Sequence, residues 1–189
     1  MPAGLEGSVL PPFVIRHWLH FAVYYERAAV TFIGGWLRNT EQPDAVIDFA
    51  HQLRDEATHY GWLRDHLLEF GEDAAAFVPP GPWRELMEDF YPGLDHLVER
   101  LAAHNLASET GALGFMEWNL TKFPAPLRAT VEKVVRDEKF HVAFGRKLLA
   151  TYCTTPALQE RARSATFAAL ERMGRAREVF VEISEGDRS

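Results

Sequence analysis

Arg54-Asp55-Glu56-Ala57-Thr58-His59 and Arg136-Asp137-Glu138-Lys139-Phe140-His141 spell one pattern, R-D-E-x-x-H, twice in a single chain, and no other Glu-x-x-His occurs in it. On a helix, residues three apart share a face about one turn from each other, so each motif aims a carboxylate and an imidazole at the same point. Such a pair suits a divalent metal. The surroundings repeat as well, since Trp62 aligns with Phe144 and Arg64 with Arg146 when the motifs are superposed.

Apolar residues on both sides of the motifs recur at three- and four-residue intervals, which places them on amphipathic helices. Pro11-Pro12 opens a first helix from Phe13 to about Arg38, and Pro43 opens a second that runs to Phe70 and is closed by Gly71. Pro79, Pro80, Gly81, Pro82 and Pro92 prevent Glu72–Pro92 from forming one long helix, so this stretch is a long crossover with at most a short helix over 83–90. A third helix is expected from Gly93 to Lys122. Pro124 and Pro126 punctuate a short turn into a fourth, Ala125 to Tyr152, and Thr155-Pro156 opens a fifth that ends near Ile183 before a polar tail. No alternation of the strand kind stands out. The fold class is therefore all-α: a four-helix bundle over about residues 13–152, followed by a C-terminal helix over about 155–183, in one domain spanning 1–189.

Composition narrows the chemistry. The chain has 189 residues, 47% of them hydrophobic, which is enough to bury a sizeable core. Its single cysteine, Cys153, excludes an internal disulfide framework and any four-thiolate site, so a bound metal must rest on carboxylates and imidazoles. A net charge of -7 disfavours a nucleic-acid partner. No long apolar run and no signal-peptide pattern appears, so a cytoplasmic protein without membrane association is expected.

Two further acids complete a set. Glu26 on the first helix and Glu109 on the third precede Glu56 and Glu138 by nearly equal intervals, and both have apolar same-face neighbours: Ala22, Val23, Ala29, Val30 and Ile33 for one, Leu106, Ala112, Leu113 and Met116 for the other. A carboxylate buried among such side chains costs several kcal/mol unless it meets a cation or donors, or takes up a proton.

One Glu from each of two helices and a Glu-x-x-His from each of two others is the inward ligand set of ferritin-like di-iron and di-manganese carboxylate proteins, and the chain resembles that superfamily over about residues 13–152. The stretch Val134-Val135-Arg136-Asp137-Glu138-Lys139-Phe140-His141-Val142-Ala143-Phe144-Gly145 and the spacing of all six ligands are similar to the aldehyde-deformylating oxygenases. The resemblance implies a ferritin-like bundle in which Glu26 and His59 serve one metal, Glu109 and His141 the other, and Glu56 and Glu138 bridge them. It also implies that Asp55 holds His141 and that Asp137 holds His59. The implied cofactor is a pair of iron ions, with manganese or a mixed pair as alternatives and O₂ as co-substrate.

The function this implies is a non-haem di-iron oxygenase or oxidase that acts on a small, apolar organic substrate. Electrons would come from an external donor of the ferredoxin or flavin-reductase type, because no flavin or Fe–S motif is present. Iron storage or peroxide scavenging is the alternative, and a tRNA-modifying monooxygenase a further one. A homodimer is one assembly open to the chain. Tyr24, Tyr25 and Tyr60, close in sequence to ligands, read first as core fillers and second as redox-active side chains. Phe115, Met116, Phe140 and Phe144 read first as core and second as a substrate pocket. His17, His20, His51, His66, His96 and His104 are assigned to surface or core rather than to ligation.

Overall fold

The computed structural model describes residues 9–186; the last three residues of the expected polar tail lie outside them. The described residues fold as helices and their connections, with no strand among them. Helix α1, Pro12–Leu37, begins with proline in its first turn, and α2, Pro43–Glu69, does the same. The two pack along each other. Gly71 closes α2 in the left-handed region, at φ 76°, where a side chain would be strained. There the Glu72 N–H donates to the Leu67 carbonyl and the Gly71 N–H to that of Leu68, the paired bonds of a glycine C-terminal cap.

The crossover contains a short 3₁₀ turn, Ala74–Ala76, and helix α3, Gly81–Arg84, which runs on into a π-helical turn, Glu85–Phe90. It is tied down at both flanks. The Trp36 indole N–H donates to the Tyr91 carbonyl at 3.0 Å, and the Trp83 indole N–H donates to the Ala176 carbonyl at 2.8 Å.

The third long helix starts later than the sequence suggests. Its first segment, α4, is Leu97–Arg100, because His96 acts as N-cap and accepts the Val98 N–H while Glu99 accepts the His96 N–H. It then becomes π-helical over Leu101–Ser108 and continues as α5, Glu109–Asn119. After a 3₁₀ turn comes α6, Ala125–Tyr152. Finally α7, Pro156–Gly186, capped by Thr155 Oγ1 on the Leu158 N–H at 3.3 Å, extends past the expected end at Ile183. It lies on the π-helical segment and the crossover, with Ala165, Ala169 and Ala176 buried.

Two large apolar clusters form most of the core, with a small third one of Val98, Ala102 and Ala162 at α7. Of the large two, one gathers Leu19, Val23, Leu63, Met116, Val131 and Val135; the other gathers Ala29, Ile33, Phe49, Leu101, Phe144 and Leu148. On each long helix the motif acids and histidines fall between the members of these two clusters, so the polar groups form a layer closed off by apolar packing at either end. None of the described helices is long and apolar enough to cross a membrane.

Candidate metal centre

All six expected ligands are buried, none more than 5% exposed. They form two overlapping groups: Glu26, Glu56, His59 and Glu138, and Glu56, Glu109, Glu138 and His141, with the donor atoms of each group within 4.8 Å of one another. Glu56 and Glu138 belong to both. Glu56 turns Oε2 toward His59 Nδ1 at 3.4 Å and Oε1 toward His141 Nδ1 at 3.6 Å. Glu138 does the same, with Oε1 at 3.6 Å from His59 Nδ1 and Oε2 at 3.1 Å from His141 Nδ1. Each central carboxylate therefore offers one oxygen to each half of the cluster.

The far nitrogens of the imidazoles face the aspartates across the two motifs. His59 Nε2 is 3.3 Å from Asp137 Oδ2, and His141 Nε2 is 3.4 Å from Asp55 Oδ2. An Nε2–H donated to a carboxylate leaves Nδ1 bare and aimed at the centre, which is the tautomer a metal needs. Arg54 and Arg136 in turn pair with the aspartate beside each of them in sequence.

The residues fit a metal pair. Glu26 Oε2, Glu56 Oε2, Glu109 Oε2 and His59 Nδ1 are buried without a hydrogen-bond partner, a costly arrangement that a bound cation relieves. The donors are oxygens and imidazole nitrogens, a set suited to iron or manganese.

The electrostatics of the metal-free cluster agree. Burial, with the Glu56 charge beside it, raises Glu26 well above the usual carboxylate range, and burial with the Glu138 charge does the same to Glu109. Burial opposes the charged form of His59, yet Glu26 and Glu56 push it up to about 12; His141, likewise opposed by burial, is pushed up to about 10 by Glu56, Asp55 and Glu138. Glu56 goes the other way, lowered by His141 and His59 despite its burial. Without metal, protons take the place of the missing positive charge.

A layer of polar side chains that sequence reasoning missed supports one half of the cluster. Gln52 is fully buried and donates to Glu56 Oε1 at 2.9 Å and to Glu109 Oε1 at 3.3 Å, while its own Oε1 accepts from Asn105 Nδ2 at 2.9 Å. Asn105 comes this close because Gly145 has no side chain: a Cβ there would lie 2.6 Å from that of Asn105. His104, assigned from sequence to surface or core, is fully buried, and its Nε2 lies 3.0 Å from both Glu109 Oε1 and the Tyr25 hydroxyl. Tyr25 also donates to Glu109 Oε1 at 3.3 Å. Burial, and then the Glu109 charge, hold its phenol well above its usual range, so it keeps its proton.

The remaining candidates divide. Phe144 and Met116 are buried in the core, whereas Phe115 and Phe140 are exposed. Tyr60, with Val23, Tyr24, Arg27, Ala74, Ala75 and Phe77, lines a cavity of about 60 Å³ that none of the six acids and histidines lines. Tyr24 donates instead to Glu88 of the crossover.

No protein-family model and no curated protein sequence matches the chain. Among solved structures it is similar to a domain of unknown function with a heme oxygenase-like fold from Shewanella denitrificans OS217, at 13% identity and a TM-score of 0.75 over 96% of this chain and 83% of that one. The likeness shows a helical fold of the heme oxygenase-like kind.

Proposed function

We propose that this protein is a ferritin-like dimetal oxidoreductase, in the first place a di-iron one, which activates O₂ to oxidise a small apolar organic substrate. The observation that carries the reading is the sharing of Glu56 and Glu138 between two otherwise separate ligand groups. Two isolated sites would not need it. A carboxylate-bridged iron pair, when bound, supplies two linked redox centres able to take up electrons and react with O₂.

The chain's own residues provide the rest. Glu26, Glu56 and His59 with Glu138 would hold one ion; Glu109 and His141, with the same two central carboxylates, would hold the other. Asp55 and Asp137 fix the imidazoles, and the two apolar clusters keep bulk water from the charges. A cavity of about 60 Å³ lined by Val23, Tyr24, Arg27 and Tyr60 has room for a water or a dioxygen. The resemblance of the Val134–Gly145 stretch and of the ligand spacing to the aldehyde-deformylating oxygenases supports oxygenase chemistry over storage, though it does not carry over their substrate. Electrons would arrive from an external ferredoxin or flavin reductase.

The test is anaerobic loading of the metal-free protein with Fe(II), followed by O₂ and a chemical reductant. Binding of two irons per chain, and O₂ uptake that an added apolar substrate accelerates, is the expected result. Failure to bind iron would sink the reading, and growth of a mineral core inside a many-subunit shell would replace it with storage.

A further inference from the structure

The two halves of the cluster repeat each other in sequence, yet they differ in how their outer carboxylates are held. The central carboxylates are common to both positions. The imidazoles are equally supported, with His59 at 3.3 Å from Asp137 and His141 at 3.4 Å from Asp55. What distinguishes the halves is Glu26 against Glu109.

Two groups donate to Glu109 Oε1, the Tyr25 hydroxyl of α1 at 3.3 Å and Gln52 Nε2 of α2 at 3.3 Å, and His104 Nε2 of the π-helical segment, hydrogen-bonded with the Tyr25 hydroxyl at 3.0 Å, lies 3.0 Å from the same oxygen. With that oxygen occupied, only Oε2 is left to face the centre, and it has no partner. Gln52 also holds the Glu56 oxygen that faces His141, at 2.9 Å. Glu26 has no such set of donors from outside the cluster. His59 Nδ1, itself a member of the cluster, lies 3.7 Å from its Oε2, and that oxygen is buried without a hydrogen-bond partner.

The backbone is shaped to produce this difference. In an α-helix five positions turn through about 500°, which would leave His104 and Glu109 roughly 140° apart around the axis. The π-helical turns of Leu101–Ser108, bonded across five residues, bring both to one point. The imidazole is then locked by edge-to-face contacts with Phe32, Trp36 and Tyr91, at centroid distances of 4.9, 5.7 and 5.3 Å.

We infer that the two metal positions are inequivalent by construction: Tyr25, His104 and Gln52 are positioning residues that make the Glu109–His141 position fill first and tightly, while the Glu26–His59 position fills second and exchanges its ion. A ligand already held in its binding geometry loses less freedom when the ion arrives, and groups that hydrogen-bond to ligating carboxylates commonly change metal affinity by about 10- to 100-fold. The inference rests on the dimetal reading above.

The test is a titration of the metal-free full-length chain with Mn(II), with free ion followed by electron paramagnetic resonance. Two steps are expected, the first at least about 10-fold tighter than the second. Glu26→Ala should keep the tight step and lose the weak one, and Glu109→Ala should lose the tight one. Tyr25→Phe, nearly the same shape, should weaken the first step about 10-fold and leave the second unchanged. His104→Leu should do likewise, and His104→Gln, which retains an N–H, should recover part of the loss. Two steps of equal affinity, or loss of the tight step in Glu26→Ala, would overturn the inequivalence and leave the dimetal centre standing. No binding at all would overturn both.

Discussion

His59 Nε2 lies 3.3 Å from Asp137 Oδ2, so the imidazole of the first R-D-E-x-x-H motif is oriented by the aspartate of the second, and His141 is oriented by Asp55 in return. The two motifs are thereby one device. Neither can present its Nδ1 to the centre without the other helix in register.

Asp137→Asn keeps the size and one acceptor but removes the charge that favours the Nε2–H tautomer. It should lower metal affinity about 10- to 100-fold, with Asp55→Asn giving a loss of the same order. Fe(II) or Mn(II) titration, with helicity checked by circular dichroism, measures this. Unchanged affinity in both variants would remove the aspartates from the site.

Metal should stabilise the fold measurably. An ion at about 100 times its dissociation constant adds about 2.7 kcal/mol, and for a chain of this length each kcal/mol moves Tm by about 2–4 °C, so loading should raise Tm by about 5–11 °C. A chelator should reverse the shift. Glu56→Ala and Glu138→Ala, each of which takes an oxygen from both positions, should lose most of it.

The sign of the pH dependence follows from the proton load of the metal-free cluster. His59 and His141, raised to about 12 and about 10, contribute stability that is fully present below the ordinary histidine value and lost as pH rises through their folded values. Glu26 and Glu109, also raised, increasingly destabilise the metal-free fold as pH climbs above the ordinary carboxylate range. Glu56, lowered, acts only in acid. The metal-free protein should therefore lose stability as pH rises above 6.5, the loss continuing to about pH 10 to 12, while metal affinity increases, and loading near neutrality should release protons into a weakly buffered solution. Loading with no proton release would contradict the assignment of these groups.

Gly145→Ala should cost about 1–3 kcal/mol by forcing Asn105 off its contact with Gln52, measured as a drop in the urea midpoint and as weaker metal binding. Gly61→Ala is the control. A Cβ there meets nothing within 4 Å, and the site is mid-helix, so the change should stabilise by about 0.5–1 kcal/mol.

Much of this was legible in the chain because its signals are local. Helical spacing, prolines at helix starts and Gly71 at a helix end depend on near neighbours only, and they place α1, α2, α6 and the start of α7 within a few residues. The third helix shows the limit. His96 and Glu99 move its start by exchanging cap bonds, and nothing in the hydrophobic spacing of Leu101–Ser108 announces bonding across five residues instead of four.

The sequence by itself determined the candidate ligand set: a carboxylate and an imidazole one turn apart, repeated, with an isolated acid on each preceding helix among apolar neighbours that offer it no other partner. Only the tertiary structure decided that His104, Tyr25 and Gln52 converge on one oxygen of Glu109 and that Glu26 has no such support. The physical reason is that face and spacing are properties of a single helix, whereas a hydrogen bond between residues as distant as Tyr25 and Glu109 exists only once α1, α2 and the π-helical turn have packed, and the repeat in the sequence carries no trace of the asymmetry that packing creates.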